Sequence, residues 1–420
     1  MCFGVSSAEP ESGWDSVSVE ATFDLYSDEF KDDPYPTYGA MRQHGAAYRA
    51  EYPGGLEIWL VTRYEDVQTI LNDPRFSMSS DNSASPLFRD EEPDEAQRGL
   101  DRNLLNLDPP VHGPLRKLVT REFTASRVAA LRPRVQRHVD ELVDGFAAAG
   151  SADLIRQFAM PLPAGVAGEL LGVPPGDWDE FRVMSNTLVT PEYDMGPDDF
   201  DVLKRKIRAY VARLIQQKLD EPADDLVSWL AKGCYEDGEI SPDDLVGIVF
   251  TLLVGSHETT TNFVGNAVLA LINHPEQIAL LRNEPELIGN AVEELIRYDG
   301  PFEASSLRFA LQDVELGGVV IPKGATVVGV IAAANRDPRR FPDPDDLDLS
   351  RADVAHLGFG VGTHFCPGRR LALLEAEIAL GTLVRRLSDL RLADDRPLRW
   401  RAGLFFRGLH ELPVTFTALS

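Results

Sequence analysis

The segment His356-Leu-Gly-Phe-Gly360-Val-Gly362-Thr-His364-Phe-Cys366-Pro-Gly368 sets glycines on both sides of one cysteine, directly ahead of the amphipathic run Leu371 to Leu387. Glycine lets a loop take φ > 0 and approach a bulky group closely. Pro367 is a good first helical residue, which predicts Cys366 at a helix N-terminus, where dipole and free amides favour thiolate over thiol. That is a metal-ligand environment. Zinc is disfavoured because Cys366 and His364 have no second ligand pair at usable spacing, and iron–sulfur clusters because Cys2 and Cys234 are isolated. A nucleotide loop fails too, since Gly358-x-Gly360-x-x-Thr363 breaks the dinucleotide fingerprint and no strand feeds it. From the residues alone two readings stay open: a single thiolate holding haem iron, or a buried small hydrophobe, the usual fate of a free cysteine.

Upstream, Ser241-Pro242-Asp243-Asp244 combines an N-cap serine, a proline at the first helical position and two acids in the first turn. Nothing stops the helix it announces before Pro275. At 1.5 Å per residue, Pro242 to Asn273 would run about 48 Å, enough to cross the molecule. Its flanks are apolar all round and predict burial. In its middle stands Gly255-Ser256-His257-Glu258-Thr259-Thr260-Thr261, a run of poor helix formers with a charge where core is expected. Such a local violation in an otherwise consistent element marks function.

Elsewhere, Leu56–Val61 alternates apolar and polar residues after Pro53-Gly54-Gly55, a hairpin signal. From Tyr64 to Asp237 the spacing is mostly helical, interrupted by a polar stretch, Ser77 to Arg102, that reads as a long loop. Two β-rich runs, Asp313–Ile321 and Ala325–Ile331, are joined by Pro322-Lys323-Gly324, and a last one is Leu412–Phe416. The coarse reading is a mainly helical body with a smaller β-rich lobe. Residues 1–25 read as a loosely ordered extension.

Composition bounds the partners. The 420 residues are 44% hydrophobic and carry 67 acidic against 41 basic side chains, a net charge of −26. Nucleic acid, which needs clustered cations to displace counterions, is excluded by that field. Three scattered cysteines argue against a disulfide framework and for a reducing compartment. Met1 to Glu20 lacks the basic start and apolar run of a signal peptide. The longest apolar stretch, Leu245 to Val254, is about half of the roughly 20 residues that span a bilayer. A cytoplasmic protein without a membrane segment is expected.

The pattern Phe359-Gly-x-Gly-x-x-x-Cys366-x-Gly resembles the haem-binding loop of the cytochromes P-450, the haem-thiolate monooxygenases. Three further motifs match in order. Gly255-Ser-His-Glu-Thr259-Thr resembles the family's oxygen-binding helix and Glu294-Leu-Ile-Arg297 its E-x-x-R pair. Asn335-Arg-Asp-Pro338, followed by Phe341-Pro-Asp-Pro and Arg351, resembles the segment leading into its meander. The match runs from about Asp33-Pro-Tyr-Pro36 to the C-terminus, and its wording is most similar to soluble actinobacterial members that tailor polyketides and other secondary metabolites. Two positions depart from the pattern: Ser256 where glycine is usual, and Leu347 where phenylalanine is common.

The resemblance implies a triangular-prism fold with a long central oxygen-binding helix and a cysteine-ligand loop. Residues 26–420 would form one domain, its β lobe built from both ends and its helical lobe from the middle. It implies haem b (iron protoporphyrin IX) with Cys366 as the metal ligand, and Phe359, Gly360 and Gly368 shaping the loop. His112, Arg116, Arg308 and His364 would hold the propionates. Glu294, Arg297 and Arg351 would form a buried ion network with a structural role. Glu258 and Thr259 match the acid–alcohol pair that handles protons for dioxygen. The chemistry demands such a pair, since reducing dioxygen to water and an inserted oxygen atom consumes two protons inside a dry pocket. Thr259 also reads as a helix threonine bonded back to the carbonyl at i−4, and the two readings are compatible. Val254, Gly255, Phe302, Ser305, Phe405 and Phe406 would line the substrate pocket.

The expected activity is therefore oxidation of a bulky, mostly apolar molecule by O2. A peroxygenase or oxidative cyclase on the same haem, and a haem-based sensor or carrier, are the alternatives; Glu258 and Thr259 together speak against the last. No flavin or nicotinamide module is recognisable, so electrons come from another protein, by resemblance a ferredoxin fed by ferredoxin reductase. Arg116, Lys117, Arg121, Arg369 and Arg370 form a candidate basic patch for an acidic donor, or else a solvated face.

Overall fold

The computed structural model describes residues 23–419 except 26, 53–54, 89–98, 178–179, 181–182, 185–186, 188–196, 236–237 and 239. The expected N-terminal extension and the middle of the long polar loop thus lie largely outside the described residues. Leu25 is buried, and Ser80–Asn82 and Pro86–Phe88 form short 3₁₀ turns within the loop.

Among the described residues, ten strands form three sheets. β1 (Ala47–Tyr52) and β2 (Leu56–Val61) make the expected hairpin, closed through Gly55 at φ +81°. They extend into a five-stranded sheet of order β1-β2-β8-β5-β3, where β3 is Phe76–Ser77, β5 Arg308–Ala310 and β8 Thr326–Gly329. The β2–β8 pair is parallel; the remaining pairs are antiparallel. The β-rich run at Asp313–Ile321 is a hairpin of β6 (Val314–Leu316) and β7 (Val319–Ile321), turning at Gly317 and Gly318 with φ +54° and +86°. Two consecutive left-handed residues are the type I′ requirement, and Gly-Gly was its signal in the sequence. β4 (Ser151–Asp153) pairs with β10 (Pro413–Ala418), which also pairs with β9 (Leu387–Leu392).

The helices that frame the site are α1 (His112–Thr120), α2 (Ala125–Ala147), α3 (Pro242–Gly255), α4 (Glu258–Asn273), α5 (Ile288–Asp299) and α6 (Arg369–Arg386). α6 packs against α2, α4 and α5 in one large apolar core that also takes in Leu347. Two smaller clusters fill the β lobe.

Two expectations change. The continuous helix from Pro242 to Asn273 is two helices, α3 and α4, broken at Ser256-His257, where His257 leaves helical geometry at φ −123°. Its start is as read, with Ser241 Oγ accepting the Asp244 amide at 3.1 Å. Pro367 is not the first helical residue: Gly368 is the N-cap and α6 begins at Arg369, three residues beyond Cys366.

Candidate haem site

The Cys366 loop is shaped by its backbone. The Cys366 amide donates to the Phe359 carbonyl at 2.9 Å, and the Gly360 amide to Leu357 at 2.8 Å. Gly360 and Gly362 sit at φ +68° and +72°, and a Cβ on Gly362 would stand 2.2 Å from Asn72 Oδ1, so only glycine serves there. Asn335 Oδ1 accepts the Leu357 amide at 2.8 Å. Glu293 ties the loop down, pairing with His356 Nε2 at 2.9 Å and with the Arg369 guanidinium. Burial pushes the Cys366 thiol up, opposed by the Gly368 amide, the Arg116 charge and the Arg369 amide. The expectation that loop position alone favours thiolate is therefore corrected: burial acts against the amides, and a bound cation would favour the thiolate.

Beneath it lies the E-x-x-R cluster. Arg297 meets Glu294 with two parallel bonds, Nε to Oε2 at 2.7 Å and Nη2 to Oε1 at 2.8 Å, both side chains fully buried. Arg351 Nε adds a third at 3.1 Å. The remaining guanidinium hydrogens go to the carbonyls of Asn335, Pro344 and Asp346. A buried charge pair is tolerable when its hydrogen bonds are this complete.

On the other side of the loop four basic residues converge. The His112 and His364 rings lie 4.3 Å apart, and the Arg116 guanidinium bonds the Phe365 carbonyl. Burial first, then the neighbouring His112 and Arg308, push His364 down to about 3; burial, opposed by Asp108, pushes Arg308 down to about 10. His112 is 1% exposed and Arg308 5%, yet both ring nitrogens of His112 and Nε of Arg308 have no hydrogen-bond partner. Buried nitrogens of His112 and Arg308 left without partners, beside Arg116 and His364, define a socket for an anionic group. A haem edge with two carboxylates would fit it, with the half-buried Cys366 next in the chain to Phe365, whose carbonyl Arg116 bonds.

The helix break is bonded differently. With the backbone ladder interrupted, side chains take the freed carbonyls: Ser256 Oγ and His257 Nδ1 both bond Leu253 O, at 3.1 and 3.0 Å, and Thr259 Oγ1 bonds Gly255 O at 3.3 Å. Ser256 thus caps the opened turn. Glu258 is 2% exposed and pairs with Arg401 Nη1 at 2.8 Å, while Asn262 Nδ2 donates to it at 3.3 Å. Arg401, Glu293 and Asp108 escaped the sequence reading; Arg401 lies 143 residues from its partner, and no local pattern announces it.

The expected pocket residues divide. Phe302 and Phe406 face each other at 5.1 Å, but Phe405 turns the other way, onto Tyr52 of β1 at 5.9 Å. The Ser305 hydroxyl accepts the Gly329 amide and donates to Ser306 O, so it is engaged with backbone. Gly255 is exposed at the break and Val254 half-buried beside it.

The fold and socket define a class, a mainly helical protein with a basic socket beside a cysteine loop, suited to a cofactor that carries carboxylates. The chain belongs to the cytochrome P450 family. The family model described as "Cytochrome P450" matches residues 197–398. The chain is 45% identical to cytochrome P450 monooxygenase PikC of Streptomyces venezuelae, over 92% of each chain. It is 39% identical to 6-deoxyerythronolide B hydroxylase of Saccharopolyspora erythraea, over 93% of this chain and 98% of that one. A myxobacterial cytochrome P450, CYP267B1, solved with myristic acid, superposes with a TM-score of 0.87 at 36% identity, over 93% and 98% of the two chains. The protein is thus a haem b monooxygenase that acts on small molecules with O2 and electrons from redox partners. Among the described residues no helix is long and apolar enough to cross a membrane.

Proposed function

We propose that the protein hydroxylates or otherwise oxidises a bulky, mostly apolar secondary-metabolite intermediate in the cytoplasm, drawing two electrons from a ferredoxin served by its reductase. The observation that carries the site assignment is the unpartnered basic socket of His112 and Arg308 beside His364, Arg116 and Cys366. Cys366 ligates the iron, the four basic residues hold the propionates, and Glu294, Arg297 and Arg351 keep the cysteine loop in shape. Bound haem supplies the reductive activation of dioxygen and insertion of one oxygen atom into the substrate.

The chain's own part is proton handling and water exclusion. Thr259 holds a hydroxyl at the break, where it can turn from Gly255 O to donate toward the cofactor face. Glu258 supplies the proton that follows. Val254, Gly255, Phe302 and Phe406 give the substrate an apolar wall, with Ser305 and Phe405 supporting it from behind. The substrate class is supported by the relatives, one named 6-deoxyerythronolide B hydroxylase and another "mycinamicin IV hydroxylase/epoxidase". A cytoplasmic location is supported by Cys234 and Cys366, both free thiols. The test is substrate-induced difference spectroscopy over macrolactones, linear polyketides and fatty acids. Macrocycles should give the high-spin shift at the lowest concentration; a preference for fatty acids would sink the substrate assignment.

A further inference from the structure

Glu258 is closed off from solvent, so the proton it supplies needs a route. α4 is apolar over most of its surface, yet one edge carries Glu258, Asn262 and Asn266, each one turn from the next and all at most 2% exposed. Residues so spaced stand in a row, roughly 6 Å apart. The segment from Trp400 to Leu409 lies over it. Arg401 Nη1 donates to Glu258, Asn266 Nδ2 donates to the Arg407 carbonyl at 3.0 Å, and Gly408 comes so close that a Cβ there would stand 2.2 Å from Asn262 Oδ1.

Hydrogen bonds join Asn262 and Arg401 to Glu258 at the inner end and Asn266 to the Arg407 carbonyl further out, and between these the row has unpaired atoms. Asn262 Oδ1, Asn266 Oδ1 and Arg401 Nε are buried and have no protein partner. Buried polar atoms left unpaired are costly, and bound water is the usual remedy where several converge. The outer end opens to solvent: Arg407 Nε donates to Asp299 Oδ1 at 2.7 Å, and both residues line a surface cleft of about 490 Å³ together with Ala270 and Asn273 of α4. Ala270 is one turn beyond Asn266.

We infer that this row is a water-holding file that carries protons from the outer cleft at Asp299 to Glu258, with Arg401 as the positioning residue that holds the carboxylate at its inner end. The inference rests on the reading of Glu258 and Thr259 above and adds the route. Each transfer passes one proton between neighbouring oxygens, so solvent gives one at the cleft as Glu258 releases one toward Thr259, and the file returns to its starting charge.

Three measurements on the haem-loaded enzyme test it. A crystal structure should show ordered water bonded to Asn262 Oδ1 and Asn266 Oδ1. Asn266→Leu, close in volume but without the polar atoms, should slow product formation by about tenfold and enlarge the solvent deuterium isotope effect, while Asn266→Ser stays within about twofold of the parent. Substrate affinity should not move, which a merely structural defect would not spare; Asn262→Leu reads the same effect if Asn266→Leu does not fold. Arg401→Met should lower the melting temperature, and adding Glu258→Gln should recover most of the loss, because the cost is an unpaired buried charge. A dry row in the crystal, or a parental rate and isotope effect in the leucine variant that folds, overturns the route. If Glu258→Gln itself leaves rate and coupling unchanged, the assignment of Glu258 falls rather than the route alone.

Discussion

The Cys366 loop and the α3–α4 break are held by opposite means. The loop is fixed by backbone: Cys366 to Phe359, Gly360 to Leu357, glycines at positive φ, and beneath them the saturated Glu294–Arg297 pair at 0–1% exposure. The break is held by hydroxyls and one long-range ion pair, Ser256 and Thr259 on freed carbonyls and Arg401 on Glu258. A backbone cradle has one geometry, which suits a ligand that must not move. Hydroxyl contacts of 3.1–3.3 Å are weak and exchangeable, which suits groups that must turn to pass a proton.

The sharpest test of the loop is Cys366→Ser. It should lose the strongly red-shifted Soret band of the reduced carbon monoxide complex, and all turnover with it, while the backbone cradle keeps the melting temperature close to the parent's. A variant that retains that band would remove Cys366 as the ligand.

Next in size is the network beneath. Arg297→Met leaves Glu294 with only the Arg351 and Asp348 amide bonds, both to Oε1, and strands the other oxygen of a buried carboxylate, for an expected loss of about 3–5 kcal/mol. Chemical denaturation should show it, along with poor haem retention. A loss under about 1 kcal/mol would mean the cluster is no clamp.

Behind the loop, Glu375 on α6 is 2% exposed with Oε2 unpartnered, and burial pushes it up to about 8. A carboxyl raised in the folded state supports folding below its ordinary range and loses that support as pH rises toward 8. Parent stability should therefore fall across this window by up to roughly 1.4 kcal/mol per pH unit, and Glu375→Gln should flatten the fall. Identical pH profiles for the two proteins would show that the carboxyl is paired in solution.

At the break, Thr259→Ala should leave substrate affinity nearly intact and divert electrons to hydrogen peroxide. A positioned proton donor contributes roughly 10²–10⁴-fold at most, and water can stand in for a hydroxyl. The measurement is product formed per NAD(P)H consumed; an unchanged ratio at unchanged rate would leave Thr259 as a helix residue bonded to Gly255 and nothing more.

The smallest effect concerns the donor surface. Arg369 is half-buried and bound to Glu293, and Arg121 stacks on Trp229 at 3.8 Å, so neither is a freely presented charge. Arg370 is exposed and is the clean probe. Arg370→Glu should slow reduction by ferredoxin about threefold at low ionic strength and less at high salt. Equal rates across salt would take this residue out of the interface.

Legibility followed sequence separation. The loop was readable because its determinants, Phe359 to Gly368, are contiguous and their spacing carries the geometry. Glu294 and Arg297 were readable as i, i+3 neighbours. The break was visible as bad helix residues in a good helix, although their placement at Ser256-His257, and the serine's use as a cap, were not. Leu347 raised a question that packing answers, since leucine is buried in the helical core there.

What the sequence determined by itself is the set of local rules: where glycine permits positive φ, where Ser241 caps a helix, where apolar periodicity demands burial, and which one cysteine stands in a ligand loop. Tertiary structure decided which charges meet. Glu258 reads as an uncompensated charge in the core until Arg401 arrives from the C-terminal segment; Arg369 reads as surface until Glu293 claims it; Phe405 and Phe406 read as a pair until the fold turns them apart. The reason is physical. A backbone hydrogen bond in a turn or helix is fixed by residues within a few positions, whereas the energy of a buried charge depends on whichever oppositely charged group the fold brings within about 3–4 Å, however distant along the chain.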